Sequence, residues 1–236
     1  MNDESSSPPG IRQLPWTPPP GATTIVMLRH GESMPEHPDH PHPTKDGHAD
    51  PDLAPNGREQ AALAAERLAA EHDVEAFSAL YVTSLRRTHQ TAAPFAVRTG
   101  LDVVEVSDLR EVHLGEWEGN FRERVASGDP LFTQAIAEQR WDLIPGAEDA
   151  DVFRTRIRSG IDHIVAANPS GRAVAVLHGG VIGQILAMAT SAGAFEFIAS
   201  DNCSISEVVV LDDGTWRIRR FNDTAHLQSL RLKPAD

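Results

Sequence analysis

The stretch Thr23-Thr24-Ile25-Val26-Met27-Leu28-Arg29-His30-Gly31-Glu32-Ser33 decides the fold class. Its first six residues are mostly apolar and rich in β-branching, as a strand buried on both faces requires. A cation, an imidazole and a glycine follow with no spacer. In an open α/β sheet the ligand crevice lies at the carboxyl ends of the strands, so Arg29 and His30 are delivered to that edge. Gly31 lets the backbone turn sharply or approach a bound group. The pattern returns late in the chain. Arg172-Ala173-Val174-Ala175-Val176-Leu177-His178-Gly179-Gly180 reads as another strand ending in His-Gly, and Val181 to Met188 as the helix after it. If the two strands lie side by side, His30 and His178 share one crevice.

The remaining periodicity fills in an α/β chain. Helices are predicted over 59–71, 85–98 (kinked or broken at Pro94) and 151–167, with strands over 79–83 and 101–106. Two further strands, 204–211 and 215–221, flank the turn signal Asp212-Asp213-Gly214. Such alternation predicts a three-layer αβα sandwich, its sheet mainly parallel with an antiparallel element at one edge. Residues 107–147 have weaker periodicity and read as an inserted helical cap lobe. Residues 1–22, rich in Pro and Ser, read as a disordered or polyproline-like tail, leaving 23–236 as a single domain. Between 34 and 55 runs a Pro- and His-rich loop whose prolines argue against regular structure.

The totals exclude several function classes. The chain has 236 residues and a formal charge of -13, which leaves no basic excess to displace counterions from a nucleic acid. A small phosphorylated metabolite remains compatible, because it responds to a local cationic pocket. No apolar run reaches the length of a membrane span, and the acidic start Met1-Asn2-Asp3-Glu4 is not expected to act as a secretory leader. The lone Cys203 permits neither an internal disulfide nor a cysteine-based zinc site, so a cytoplasmic setting is expected. Self-association stays open.

Two more stretches carry chemistry. Thr83-Ser84-Leu85-Arg86-Arg87-Thr88 opens a helix straight after a strand, where free N–H groups and a guanidinium suit phosphate oxygens. Leu109-Arg110-Glu111-Val112-His113-Leu114-Gly115-Glu116-Trp117-Glu118 sets three carboxylates in a loop. The residue pattern alone chooses neither between Arg86 and Arg87 nor among Glu111, Glu116 and Glu118. Histidines, arginines and an acid together suit phosphoryl transfer. A neutral imidazole is a competent nucleophile near pH 7, guanidinia hold the equatorial oxygens, and a carboxylic acid protonates the leaving alkoxide.

In these four segments, taken in order, the chain resembles the histidine phosphatase superfamily, also called the phosphoglycerate mutase-like family. Supporting similarity lies in Asp52 to Ala61, Pro145-Gly146-Ala147-Glu148 and Asp201 to Glu207. The resemblance implies a phosphoglycerate mutase-like fold and a phosphomonoesterase that needs no metal and no cofactor. It implies His30 as phosphate acceptor, Glu111 as proton donor, and Arg29, Arg87 and His178 as the phosphate cradle, with Ser33 and the Gly179 N–H in the substrate-binding set. Two departures stand out. Glu36 occupies the place where the family commonly has an Asn, and the longer insertion of the cofactor-dependent mutases is missing, which favours a phosphatase over a mutase. A reading of another class makes the chain a phosphate sensor, or a metal-binding module built on His37, His40, His42 and His48 with Asp39, Asp50 and Asp52.

Overall fold

The computed structural model describes residues 13–37 and 39–231. The first strand, β1 (Thr23–Arg29), is buried from Thr23 through Leu28. Its side chains alternate between two separate cores. Ile25 and Met27 enter one, while Val26 and Leu28 enter the other. Each such side chain contributes roughly 1.5–3 kcal/mol relative to exposure. Burial on both faces explains why the stretch is apolar throughout.

Two short strands, β2 (Thr44–Lys45) and β3 (His48–Ala49), are followed by α1 (Pro55–Val74), β4 (Ala79–Val82), α2 (Arg86–Thr99) and β5 (Val103–Glu105). Next come the short helices α3 (Phe121–Ala126) and α4 (Pro130–Glu138), then α5 (Ala150–Ala167), β6 (Arg172–Leu177) and α6 (Gly179–Thr190). The chain finishes with β7 (Ile205–Val210), β8 (Trp216–Asp223) and α7 (Gln228–Arg231). One sheet has the order β5-β4-β6-β1-β7-β8. Its first four strands are parallel, and β7 runs antiparallel to both β1 and β8. Residues of α5 and α6 share one core with one face of the sheet, and residues of α1 and α2 share the other core. This is the expected mixed α/β sandwich. β1 and β6 are neighbours, with Arg29 opposite Leu177, so both His-Gly turns leave the same sheet edge.

Two local expectations are corrected. Of the kink or break expected at Pro94, the break is absent: α2 runs through to Thr99, with Ala92 and Phe95 on either side of the proline buried in the core shared with α1. The Pro-rich loop is not devoid of regular structure, since β2 and β3 pair around Asp46-Gly47. Both turn residues have positive φ, 51° and 84°, as a tight two-residue hairpin demands. Prolines on either side mask that Asp-Gly signal. Of the tail expected over 1–22, residues 13–22 are described. They form no helix or strand, and the Arg219 guanidinium lies 4.6 Å from the Trp16 ring centroid. The rest of that expectation lies outside the described residues. Within them, no helix is long and apolar enough to cross a membrane.

Candidate active site

His30 begins where β1 stops. Its N–H donates to Leu177 O of β6 at 2.9 Å, and the Asn202 amide donates to its carbonyl at 2.9 Å, so the backbone is held from both sides. Gly31 then passes close to Gly57 in the first turn of α1. A Cβ on Gly31 would lie 2.5 Å from Gly57 O, and one on Gly57 would lie 2.1 Å from Glu32 O. The sharp exit of the chain therefore needs both glycines.

His30 is only 6% exposed. Its Nδ1 lies 2.8 Å from Gly31 O, and a carbonyl can only accept, so Nδ1 carries the proton. In a neutral ring this leaves the lone pair on Nε2. Burial, reinforced by the Arg87 and Arg29 guanidinia, pushes the imidazole well below its ordinary pKa. His178, fully buried, meets it edge-on with 5.2 Å between ring centroids. Burial and Arg87 lower its pKa well below the usual value too. Its Nε2 lies 2.9 Å from Thr83 Oγ1, whereas Nδ1 has no partner among the described residues.

These depressed values have a consequence for stability. The unfolded chain takes up protons on both rings below about pH 6.5, and the folded chain does not. Stability is therefore complete above the unfolded value and lost as pH falls below it. The slope approaches about 1.4 kcal/mol per pH unit for each ring. Urea midpoints at pH 7.5, 6.5 and 5.5 should decline, and His178→Asn should flatten the decline. A profile flat to pH 5.5 would show that the rings titrate normally.

Arg29 and Arg87 are held by carbonyls. Arg29 Nη1 donates to Ser200 O, and Arg87 Nη1 donates to Ala49 O at 3.0 Å. Burial works against both charges, and the nearby Glu111 carboxylate partly offsets it. The choice between Arg86 and Arg87 becomes geometric here. Asp50, only 2% exposed, accepts from the Arg86 N–H at 2.7 Å and from its guanidinium at 3.1 Å, while Arg87 is buried beside the histidines. This corrects one expectation: the first N–H of α2 faces the protein's own carboxylate and is not open to an anion.

The three carboxylates separate in the same way. Glu118 accepts from Leu114 N at 2.8 Å and Ala49 N at 2.9 Å, tying the cap to β3, and Glu116 is exposed. Glu111 instead accepts from Gly180 N at 3.1 Å in the first turn of α6 and from Val112 N at 3.0 Å. A Cβ on Gly180 would fall 2.6 Å from Glu111 Oε1, so the second glycine of His-Gly-Gly admits this carboxyl. Arg156 of α5 fixes the loop. Its guanidinium bonds Glu148 at 2.6 and 2.8 Å and the carbonyls of Asp108, Arg110 and Glu111 at 2.7, 2.6 and 2.8 Å.

One cavity of about 320 Å³ has Arg29, His30, Ser33, Arg87, Glu111 and Gly179 on its wall; His178, fully buried, packs edge-on against His30 and is not itself part of that lining. Ser33 is buried there, its backbone bridged to Leu53. Glu36 also lines the cavity, and its Oε2 accepts from Arg122 N of the cap at 2.9 Å. The family-based reading left out Thr83, Asp50 and Arg156. An arginine on an amphipathic helix and an aspartate in a loop carry no local signal of such contacts. Of the loop histidines, only His37 and His40 meet, their rings stacked with centroids 5.0 Å apart. His42 meets Pro35 O, His48 meets Glu111 O, and among the described residues no group of three His, Cys, Asp or Glu is placed to hold a metal ion.

Known proteins share this sequence pattern and fold. Residues 25–224 match the profile of the histidine phosphatase superfamily, branch 1. The chain is 33% identical over 208 residues to phosphoglycerate mutase-like protein 4 of Arabidopsis thaliana, covering 86% of each. It is 32% identical over 211 residues to the metal-independent phosphoserine phosphatase of the same plant, covering 88% of this chain and 84% of that one. The native structure of a mycobacterial glucosyl-3-phosphoglycerate phosphatase superimposes with a TM-score of 0.70 at 27% identity, over 86% of this chain and 100% of that one. A phosphoglycerate mutase from Bacillus anthracis, at 24% identity and a TM-score of 0.71, shares the fold over 90% of this chain and 98% of its own. The chain thus belongs to the histidine phosphatase superfamily, and it is a phosphatase enzyme.

Proposed function

We propose that this protein hydrolyses small phosphomonoesters through a phosphohistidine on His30, without a metal. One observation carries the reading: a proton-fixed imidazole with a free Nε2 lies among two guanidinia, a second imidazole and one carboxyl. In the first step the Nε2 lone pair forms a bond to phosphorus as the ester P–O bond breaks, and Glu111 gives its proton to the departing alkoxide. In the second, Glu111 takes a proton from water, the water oxygen bonds to phosphorus, and the N–P bond breaks to release phosphate. Arg29 and Arg87 hold the equatorial oxygens as charge develops, aided by the Gly179 N–H and Ser33.

His178 has a specific task here. A neutral imidazole donates to an anion through one nitrogen only, so an Nδ1–H facing phosphate requires Nε2 to accept. Thr83 supplies that proton, because its hydroxyl lies against Nε2 while Thr88 has its own acceptor in Leu85 O at 2.8 Å. Thr83→Val is expected to lower kcat roughly 10- to 100-fold with little change in KM, the loss of one transition-state donor. Thr83→Ser should restore activity. Nitrogen NMR of histidine-labelled protein should show His178 protonated at Nδ1 in the native chain and not in the valine variant. An unchanged tautomer would remove Thr83 from the mechanism.

The test of the whole reading is hydrolysis of an aryl phosphate in excess chelator, with acid quenching to trap an acid-labile phosphoenzyme. Hydrolysis with no trapped phosphoprotein under single-turnover conditions counts against the histidine intermediate. The mutase reading shares that first step and differs in product: a mutase returns label from a bisphosphoglycerate donor to monophosphoglycerate, a phosphatase to water.

A further inference from the structure

Besides the phosphoryl-binding groups, the cavity is lined by an apolar set that comes largely from the cap: Met34, Phe121, Phe132, Ile136, Trp141 and Ile198. The set is braced. Phe121 meets Phe132 and Trp141 edge-on at 6.0 and 5.9 Å, and Trp141 packs on Phe195 at 4.5 Å. Yet Met34 and Ile136 remain 41% and 38% exposed, so water covers apolar surface that a ligand could cover instead.

Charge around the cavity points the same way. The wall carries the guanidinia of Arg29, Arg87 and Arg122 against the carboxylates of Glu36, Glu111 and Glu118. Arg122 is close enough to His30 and Arg29 to lower both their pKa values, so its field falls on the phosphoryl position. A phosphate dianion engages Arg29 and Arg87, while Arg122 shares the wall with three carboxylates and the His42 and His48 imidazoles on it are turned to backbone carbonyls; among the described residues no lysine or further arginine lines the cavity for a second anionic group. A carboxylate on the alcohol half of the substrate would meet aromatic rings and Glu36, which the Arg122 N–H holds at the cavity wall.

We infer that the alcohol half of the substrate is an uncharged apolar group, aryl or long alkyl, seated on the cap wall. This rests on the phosphatase reading above but departs from the carboxylated substrates in the names of its relatives, phosphoserine and glucosyl-3-phosphoglycerate. Specificity would then come from Ile136, Phe132 and Trp141, none of which lies in a shared motif.

Matched esters separate size from charge. Against phenyl phosphate, 1-naphthyl phosphate should show a kcat/KM about 5-fold higher, the worth of one further ring's apolar surface. Adding a 4-carboxyl group to phenyl phosphate should lower kcat/KM roughly 10-fold or more. Hexyl phosphate should likewise exceed phosphoserine. In Ile136→Asp the naphthyl-to-phenyl ratio should fall to about 1, with Ile136→Ala between. Calorimetry with the non-hydrolysable phenyl-, 1-naphthyl- and 4-carboxyphenylphosphonates gives the same ranking without turnover. Equal or tighter binding of the carboxylated phosphonate, or a preference for phosphoserine, would overturn the inference. If the apolar phosphonates bind tighter but no ester is hydrolysed, the apolar subsite stands and the phosphatase mechanism falls.

Discussion

His30→Ala is expected to lower kcat roughly 10⁴-fold or more and to leave no trappable phosphoenzyme, because it removes the only proposed nucleophile. Binding should survive. Arg29 and Arg87 are anchored on Ser200 O and Ala49 O rather than on the imidazole, so phosphate should still bind the variant. The fold should survive as well, since the β1–β6 pairing and the Gly31–Gly57 approach involve backbone alone. Rapid-quench measurement of phosphoprotein, with phosphate affinity measured in parallel, checks both halves. A variant that still hydrolyses aryl phosphate at the native rate would place the nucleophile elsewhere.

Glu111→Gln should have the next largest effect, and its size should depend on the leaving group. An alkyl alcohol needs a proton as its bond breaks, and loss of a general acid costs about 10²- to 10⁴-fold. A nitrophenolate leaves without one. With nitrophenyl phosphate the first step should stay fast while the second, lacking its base, slows, so one burst of nitrophenol should precede slow turnover. The phosphoenzyme should accumulate. Geometry makes the variant a conservative one, because the amide can keep an acceptor oxygen on Gly180 N, 3.1 Å from Glu111 Oε2 in the native chain. Equal losses for alkyl and nitrophenyl esters, with no burst, would deny Glu111 a proton-transfer role.

How far the sequence could be read follows from how far apart the partners lie along it. A strand buried on both faces must be apolar at every position, so β1 and β6 announce themselves, and the residues at their ends follow by continuity. The Asp46-Gly47 hairpin escaped that reading because prolines on either side mask its turn signal. Neighbours of the same type could not be told apart locally. Arg86 and Arg87 differ because Asp50, 36 residues earlier, binds the first of them. Glu111 differs from Glu118 because one bonds Gly180, 69 residues away, and the other Ala49. Glu36 looks misplaced beside a phosphate site until the cap closes the cavity and gives it the Arg122 N–H.

The amino-acid sequence by itself determined the α/β class, the two His-Gly strand ends and the segments from which a phosphoryl site is drawn, because backbone burial and turn chemistry are written in consecutive residues. Family resemblance already pointed to Arg87 and Glu111, but the physical reason they turn inward lies in the tertiary structure, which alone decided that Thr83 sits on His178 and that apolar cap residues line the cavity. Those outcomes depend on contacts between distant segments, where the partner, and not the residue itself, sets the role.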